Sequence, residues 1–420
     1  MLPAGPTSAA PLQTARWLLR PIAFMEDCRR RFGDAFSVNF TGFKTPLVML
    51  SSPEAIRALY SERSHGLPPG RTTTLRPLVG PRSLLLLEGV DHLSRRKAML
   101  PPFHGERMRA YESVIGEIAD AAERELSRWP VGEPFAVHPS MQEITLEVIL
   151  RAVFGVSERD ELHELLRDLL SATVSTQLQV AVLFGRRQPL ERLTEMAAEI
   201  DARLLAEIAA RRSSPGEDIC SLLVQVRFDD GSAMTDREVR DQLMTLLLAG
   251  HETTATGLAW TLDLLTRHPR EIDRMRVDGE PYVRAVVAES LRLRPVVPLA
   301  GRRLAVPLES NGMALPAGTD VTPAIWLAHT RPDAYPDPYA FRPERFLDRP
   351  PSTYTWIPYG GGVRRCLGAA FAEMEMRIVL TAILARFDLR AASARAERVA
   401  RRNVTFSPRR GTRVIATPRA

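Results

Sequence analysis

Trp356-Ile357-Pro358-Tyr359-Gly360-Gly361-Gly362-Val363-Arg364-Arg365-Cys366-Leu367-Gly368 is the stretch whose reading decides the fold. A proline and three glycines lead to a cysteine preceded by two arginines. Downstream, Ala369 to Phe387 carries Phe371, Met374, Ile378 and Leu384 at helical spacing, which predicts a long helix. Cys366 then lies at the mouth of that helix, on a loop whose glycines let backbone amides approach a neighbour closely. Those amides and the helix dipole favour a thiolate. A thiolate is a soft, strong metal ligand. An isolated loop cysteine is more often only a small buried side chain, so its context must decide.

The context is specific. Tyr359, Gly362, Arg364, Cys366 and Gly368 match, in type and spacing, the haem-binding loop of the cytochrome P450 family, which this stretch resembles. The family has phenylalanine where Tyr359 stands, and the substitution keeps a ring beside the sulfur. The resemblance runs from about residue 15 to the end. It implies iron protoporphyrin IX, haem b, with Cys366 as the metal ligand and Gly368 closing the loop.

Composition sets the bounds. The 420 residues are 45% hydrophobic and 25% charged, as in a folded soluble protein. Arginine far outnumbers lysine and the net charge is +6, but no basic run is interleaved with aromatics, so nucleic acid is not an expected partner. A basic face for an acidic protein and an evenly solvated basic surface are equally open. Cys28, Cys220 and Cys366 are odd in number and none has metal-ligand spacing to another, which points to a reducing cytoplasm. No signal peptide and no membrane anchor are expected: the start lacks a basic and apolar run, and no apolar stretch is long enough to span.

Along the chain, residues 1–14 read as a flexible arm and residues 15–420 as one domain. Ala35 to Asn39 and Pro46 to Leu50 predict a small hairpin, and Pro53 opens a short helix. Gly66 to Pro81 reads as loop, and helical patterning holds through most of residues 107–210. Thr235-Asp236-Arg237-Glu238 has capping-box spacing and starts a helix that runs to His268, before Pro269. A second helix, Tyr282 to Leu293, stops before Pro295. Gly301 to Pro323 suggests small strands, and seven prolines between Pro332 and Pro358 make an irregular meander. Val404 to Ser407 and Thr412 to Ala416 read as two strands around an Arg-Gly turn. The expected class is mainly α with small β-sheets (α+β), organised on a long central helix.

Inside that helix lies Ala249-Gly250-His251-Glu252-Thr253-Thr254. Gly250 is poor in a helix and a threonine hydroxyl can bond back to the preceding turn, so a kink without chemistry is one reading. The other is an oxygen-binding groove in which Gly250 leaves room for a ligand and Glu252 and Thr253 deliver protons. The segment resembles the family's acid–alcohol pair. His251 takes no ligand role, and position 255 is Ala, so this is no zinc helix.

Glu289 and Arg292 share a helical face, and Phe341-Arg342-Pro343-Glu344-Arg345-Phe346 follows. The resemblance implies that Glu289, Arg292 and Arg345 form a buried structural network behind the haem. It also implies that His92, Arg96 and Arg364 meet a haem propionate. A fourth donor is Arg302 or Arg303, with the spacing back from Gly312 favouring Arg302. Guanidinium forks suit carboxylates.

No nucleotide fingerprint is present, so electrons must come from another protein. The reading is a haem-thiolate monooxygenase that inserts one atom of dioxygen into a hydrophobic small molecule, by hydroxylation or epoxidation. Its implied partners are a ferredoxin or flavodoxin with its reductase, docking near Arg95, Lys97 and Arg365. A cytoplasmic monomer is expected. The rivals are a peroxide-driven peroxygenase, whose relatives usually lack the acid–alcohol pair, and a haem gas sensor, which has no need of it. The pocket is expected around residues 75–87, 173–184 and 244–248, with Leu248, at Ala249, around residues 297–300, with Val297, and at Thr405 and Phe406.

Overall fold

The computed structural model describes residues 2–61, 76–103, 112–155, 161–173, 188–347, 352–402 and 404–419. It is 56% helical, so the sheets are minor and the class is mainly α.

The capping box forms as its spacing requires. Thr235 Oγ1 accepts from the Glu238 amide at 3.2 Å, and the Thr235 amide donates to Glu238 Oε2 at 3.0 Å. From there one helix runs Asp236–Arg267, 32 residues, ending where Pro269 follows. At 1.5 Å per residue it is about 48 Å long, enough to cross the molecule. Most of it is buried, because both polar and apolar side chains find partners on every side.

A second helix, Val137–Phe154, crosses this central one, and the carboxyl-terminal helix Ala369–Arg386 packs nearby. Ile144, Val148, Leu258, Leu262, Val379 and Leu380 join in the main core where these helices meet. Gly257 admits the close approach: a β-carbon there would lie 3.3 Å from Met376 Sδ.

The expected hairpin is present, Ala35–Val38 pairing antiparallel with Leu47–Leu50. Asp320–Pro323 adds in parallel and Arg302–Arg303 closes the other edge of this four-stranded sheet. Beneath it Val48, Leu50, Ile56, Leu59 and Ile325 form a second core.

Three expectations need correcting. Residues 2–14 do not form an arm. Helix Ala10–Leu19 begins inside them, and the strand residue Ser37 donates from its amide to Ala4 O (3.2 Å) and from its hydroxyl to Pro3 O (2.7 Å). Gln13 is fully buried, donating to Pro6 O and Ser8 O while accepting from the Asn39 amide. A polar inward residue on a helix with leucines outward gives no amphipathic signal. The loop expected over residues 66–81 lies outside the described residues up to residue 75, and residues 76–79 are helical. The two last strands exist but do not pair with each other. Thr405–Pro408 pairs with Val399–Arg402, whereas Arg413–Pro418 joins Phe387–Ala391 and Pro134–Ala136. Long-range pairing overrode a local turn.

Candidate active site

The cysteine loop owes its shape to one aromatic ring. Gly360 and Gly362 have φ of 67° and 63°, the left-handed region that disfavours a side chain. Gly361 is needed for a different reason: a β-carbon there would lie 2.2 Å from Tyr60 Cδ2. Tyr60 ends helix Pro53–Ser61, so the close approach predicted for this loop is to Tyr60. The Cys366 amide then donates to Tyr359 O at 2.9 Å, closing the turn.

Cys366 is solvent-accessible although protein encloses it closely. Burial pushes its thiol above the ordinary value, against the Gly368 amide and the charges of Arg96 and Arg365, which favour thiolate. An enclosed sulfur already aimed at by an amide and two guanidiniums suits a bound cation, which would supply the remaining compensation.

Arg96, Arg302 and Arg364 converge on His92. Burial and these three charges push the His92 imidazole down to about 3, so it is neutral. Arg364 also donates to Leu87 O, and Arg302 to Ala300 O and Gly301 O. Of the two arginines that the sequence left open, Arg302 is the one whose charge acts on His92. Its neighbour Arg303 forks onto Asp320 at 2.9 and 3.0 Å, because consecutive strand residues face opposite ways. Three guanidiniums and an imidazole in one enclosed place are a donor set for carboxylates. Together with Cys366 they fit haem. Among the described residues no cluster of three His, Cys, Asp or Glu offers an alternative metal site.

Between its ends the central helix is accessible around one stretch: Ala249 is exposed, and Leu246, Leu248, Gly250, Glu252 and Thr253 are half-buried. Thr253 Oγ1 donates to Ala249 O at 2.6 Å. Glu252 Oε2 accepts from Gln142 Nε2 at 2.6 Å, and Oε1 lies 3.5 Å from Thr256 Oγ1 and 3.8 Å from His138 Nε2. Burial raises the Glu252 pKa, opposed by Gln142 and Arg402. Gly250 is expected to leave room for a ligand, but the space its missing side chain leaves is taken by a neighbouring helix. A β-carbon there would meet Ile149 Cδ1 at 3.2 Å, so the glycine admits the crossing helix. His251 faces the same helix, its Nδ1 3.0 Å from Thr145 Oγ1.

Glu289 and Arg292 are fully buried and form a fork of 2.6 and 2.7 Å. Arg345 Nε stands 3.4 Å from Glu289 Oε1. Arg292 donates further to His329 O, Pro338 O and Ala340 O in the meander. Sequence reasoning missed His329. Its Nδ1 is 3.0 Å from Arg292 O and its Nε2 accepts from the Ile357 amide at 2.8 Å, so it ties this network to the cysteine loop. A lone histidine among prolines carries no signal of that role.

Of the expected pocket residues, Ala249, Leu248 and Val297 are accessible. Thr405 and Phe406 are not: Phe406 is buried with its ring 5.8 Å from Trp17, and Thr405 donates to Arg402 O. Residues 75 and 174–184 lie outside the described residues. Of the expected docking cations, Arg95 is spent inside, bonding Glu238 at 2.9 Å and stacking on Phe228. Lys97 pairs with Asp229, and Arg365 is exposed beside the cysteine.

Comparison with known proteins agrees with this geometry. The family model described as cytochrome P450 matches residues 3–411. The chain is 41% identical over 433 aligned positions to the Mycobacterium tuberculosis protein named cytochrome P450 135B1, covering 98% of this chain and 91% of that one. It is 38% identical to cytochrome P450 138 of the same organism, over 92% and 89% of the two chains. Among solved structures, retinoic acid-bound cyanobacterial CYP120A1 superposes with a TM-score of 0.86 at 26% identity, over 100% and 99% of the chains. The cytochrome P450DA haem domain shares the fold, with a TM-score of 0.86 at 23% identity, over 100% and 98%. No helix among the described residues is long and apolar enough to cross a membrane. The protein is an oxidoreductase that uses haem iron, a substrate and a redox partner, and it belongs to the cytochrome P450 family of monooxygenases.

Proposed function

We propose that this chain is a haem b monooxygenase that hydroxylates or epoxidises a hydrophobic small molecule, drawing electrons from a ferredoxin or flavodoxin and its reductase. It works as a cytoplasmic monomer. Two observations support the reading: Cys366 is accessible on its glycine loop, and Ala249 is exposed with Thr253 half-buried in the middle of the central helix.

Cys366 is the iron ligand, with Gly368 steadying its sulfur. His92, Arg96, Arg302 and Arg364 hold the two carboxylates of the macrocycle. When bound, haem supplies dioxygen activation, and a thiolate ligand favours O–O cleavage. The protein supplies protons and dryness. Glu252 is the acid of the pair, and burial raises its pKa, against the Gln142 hydrogen bond and the Arg402 charge. Thr253 stands one residue on, with its hydroxyl bonded to Ala249 O. Swinging off that carbonyl, it donates into the cleft or holds a water in line. Leu246, Ala249 and Val297 are apolar and not fully buried, which suits a hydrophobic substrate. The retinoic acid of the cyanobacterial relative is of that kind. Arg365 places positive charge beside the cysteine for an acidic electron donor.

The test is the ferrous carbon-monoxide spectrum of the wild type and of Cys366→Ala, followed by turnover with a reduced partner or with peroxide. The wild type should show the red-shifted Soret band, the variant should lose it, and turnover should need the partner. A variant that keeps the band removes Cys366 from the iron.

A further inference from the structure

Three residues of the crossing helix Val137–Phe154 meet one stretch of the central helix. Gln142, Thr145 and Ile149 follow one another at helical spacing, so they form a single stripe. Gln142 reaches Glu252, Thr145 reaches His251, and Ile149 fills the space over Gly250. The glycine lets the two helices come close, and a glutamine then spans the remaining gap to the acid.

The contact is direct. Gln142 Nε2 donates to Glu252 Oε2 at 2.6 Å. The other carboxyl oxygen lies 3.5 Å from Thr256 Oγ1 and 3.8 Å from His138 Nε2, which is itself 3.2 Å from Thr256 Oγ1. Successive helix residues point about 100° apart. Among the described residues no hydrogen bond joins Glu252 to Thr253, whose hydroxyl is bonded back to Ala249 O. The groups that act on the carboxyl are few. Burial favours the acid, while the Gln142 hydrogen bond and the Arg402 charge favour the carboxylate. His138, pushed down to about 3 by burial, is neutral. Gln142 makes the shortest of these contacts, and an amide N–H bonded to a carboxyl oxygen stabilises the ionised form more than the neutral one.

We propose that Gln142 is the positioning residue of the proton-donating pair, its amide holding the Glu252 carboxyl against the crossing helix and easing release of its proton. The inference rests on reading Glu252 and Thr253 as that pair. When the proton passes, Glu252 becomes a carboxylate held by the Gln142 N–H. Thr253 takes that proton, gives its own hydroxyl proton onward and stays neutral. The partly exposed Glu252 then regains a proton from solvent. Gln142 itself gains and loses none.

The experiment is an infrared pH titration of the purified holoenzyme, with the Glu252 acid band identified by its loss in Glu252→Gln. Gln142→Met keeps the length of the side chain and removes the donor. Its acid band should persist to higher pH than in the wild type, reflecting a proton affinity about tenfold greater. Gln142→Lys puts a charged donor at the same reach, and its band should vanish at lower pH than in the wild type. Thr145→Val removes the neighbouring bond to His251 and should leave the titration unmoved. Peroxide released per NADPH should rise in Gln142→Met and not in Thr145→Val. The proposal is overturned if Gln142→Met titrates as the wild type does, if the Met and Lys variants shift the band in the same direction, or if Thr145→Val shifts it as far. It is also overturned if the band moves in Gln142→Met while peroxide release does not, because the amide then tunes Glu252 without serving proton delivery. The infrared band reads the carboxyl without turnover. If Glu252→Gln itself stays fully coupled, the acid–alcohol reading is what fails, and the band shifts stand apart from it.

Discussion

Thr253 and Thr254 carry the same hydroxyl into different surroundings. Thr253 is half-buried at the opening of the central helix, while Thr254 is 4% exposed within the packed side. In the proposed function the accessible hydroxyl, that of Thr253, passes the proton. General acid assistance is worth about 10² to 10⁴ in rate. Thr253→Ala should keep haem and substrate binding but divert reducing equivalents to peroxide, with Thr254→Ala leaking less. The measurement is product per NADPH with peroxide assayed alongside. If Thr254→Ala leaks and Thr253→Ala stays coupled, the relay is on the other hydroxyl. If neither leaks, the polar pair is only a helix kink.

At the scale of elements, the cysteine loop is held by two contacts from distant parts of the chain. Tyr60 presses on Gly361, and His329 receives the Ile357 amide. An alanine β-carbon at position 361 would overlap the Tyr60 ring at 2.2 Å, and a buried ring in a packed interface cannot yield that far. Gly361→Ala should therefore cost about 1 to 3 kcal/mol and loosen haem retention. Trimming the ring in Gly361→Ala/Tyr60→Ala should recover haem retention relative to Gly361→Ala. A double variant that retains haem no better would place the strain elsewhere. Behind the loop, Glu289 and Arg292 bury two charges whose pairing holds the meander. Breaking such a pair is costly, because one charge is left uncompensated.

For the whole molecule, buried imidazoles make stability depend on pH. Burial first of all pushes His329 and His138 down to about 3 and His251 to about 4, from 6.5. Each is neutral in the fold and takes up a proton on unfolding below that value. Its contribution is whole above pH 6.5 and is lost as pH falls from there toward its folded value. The loss is up to about 1.4 kcal/mol per pH unit for each imidazole. Glu375 and Glu373, raised by burial, act in the opposite sense, so total stability mixes the two. A variant isolates one group. His329→Gln should be less stable than the wild type at pH 7.5, and the gap should narrow steadily toward pH 5. Urea midpoints across that range measure it. A constant gap would mean that His329 keeps its proton affinity on folding.

The sequence by itself determined what short-range rules can carry. The Pro-Gly-Arg-Cys stretch marks the family because so many positions are specified within thirteen residues. The capping box and Pro269 bound the central helix because caps are local chemistry. The Glu289, Arg292 and Arg345 network was implied by the family resemblance, and its distances agree. Tertiary structure alone decided the rest. Arg302 rather than Arg303 joins the His92 cluster because sheet pairing aims Arg303 at Asp320. Gly250 and Gly361 serve packing partners, Ile149 and Tyr60, that lie about 100 and 300 residues away in the chain. Residues 2–14 became structure through hydrogen bonds to a strand they precede. In each case the deciding atom belongs to a distant segment. Spacing along one chain records local geometry, and it cannot record which surface that geometry will meet.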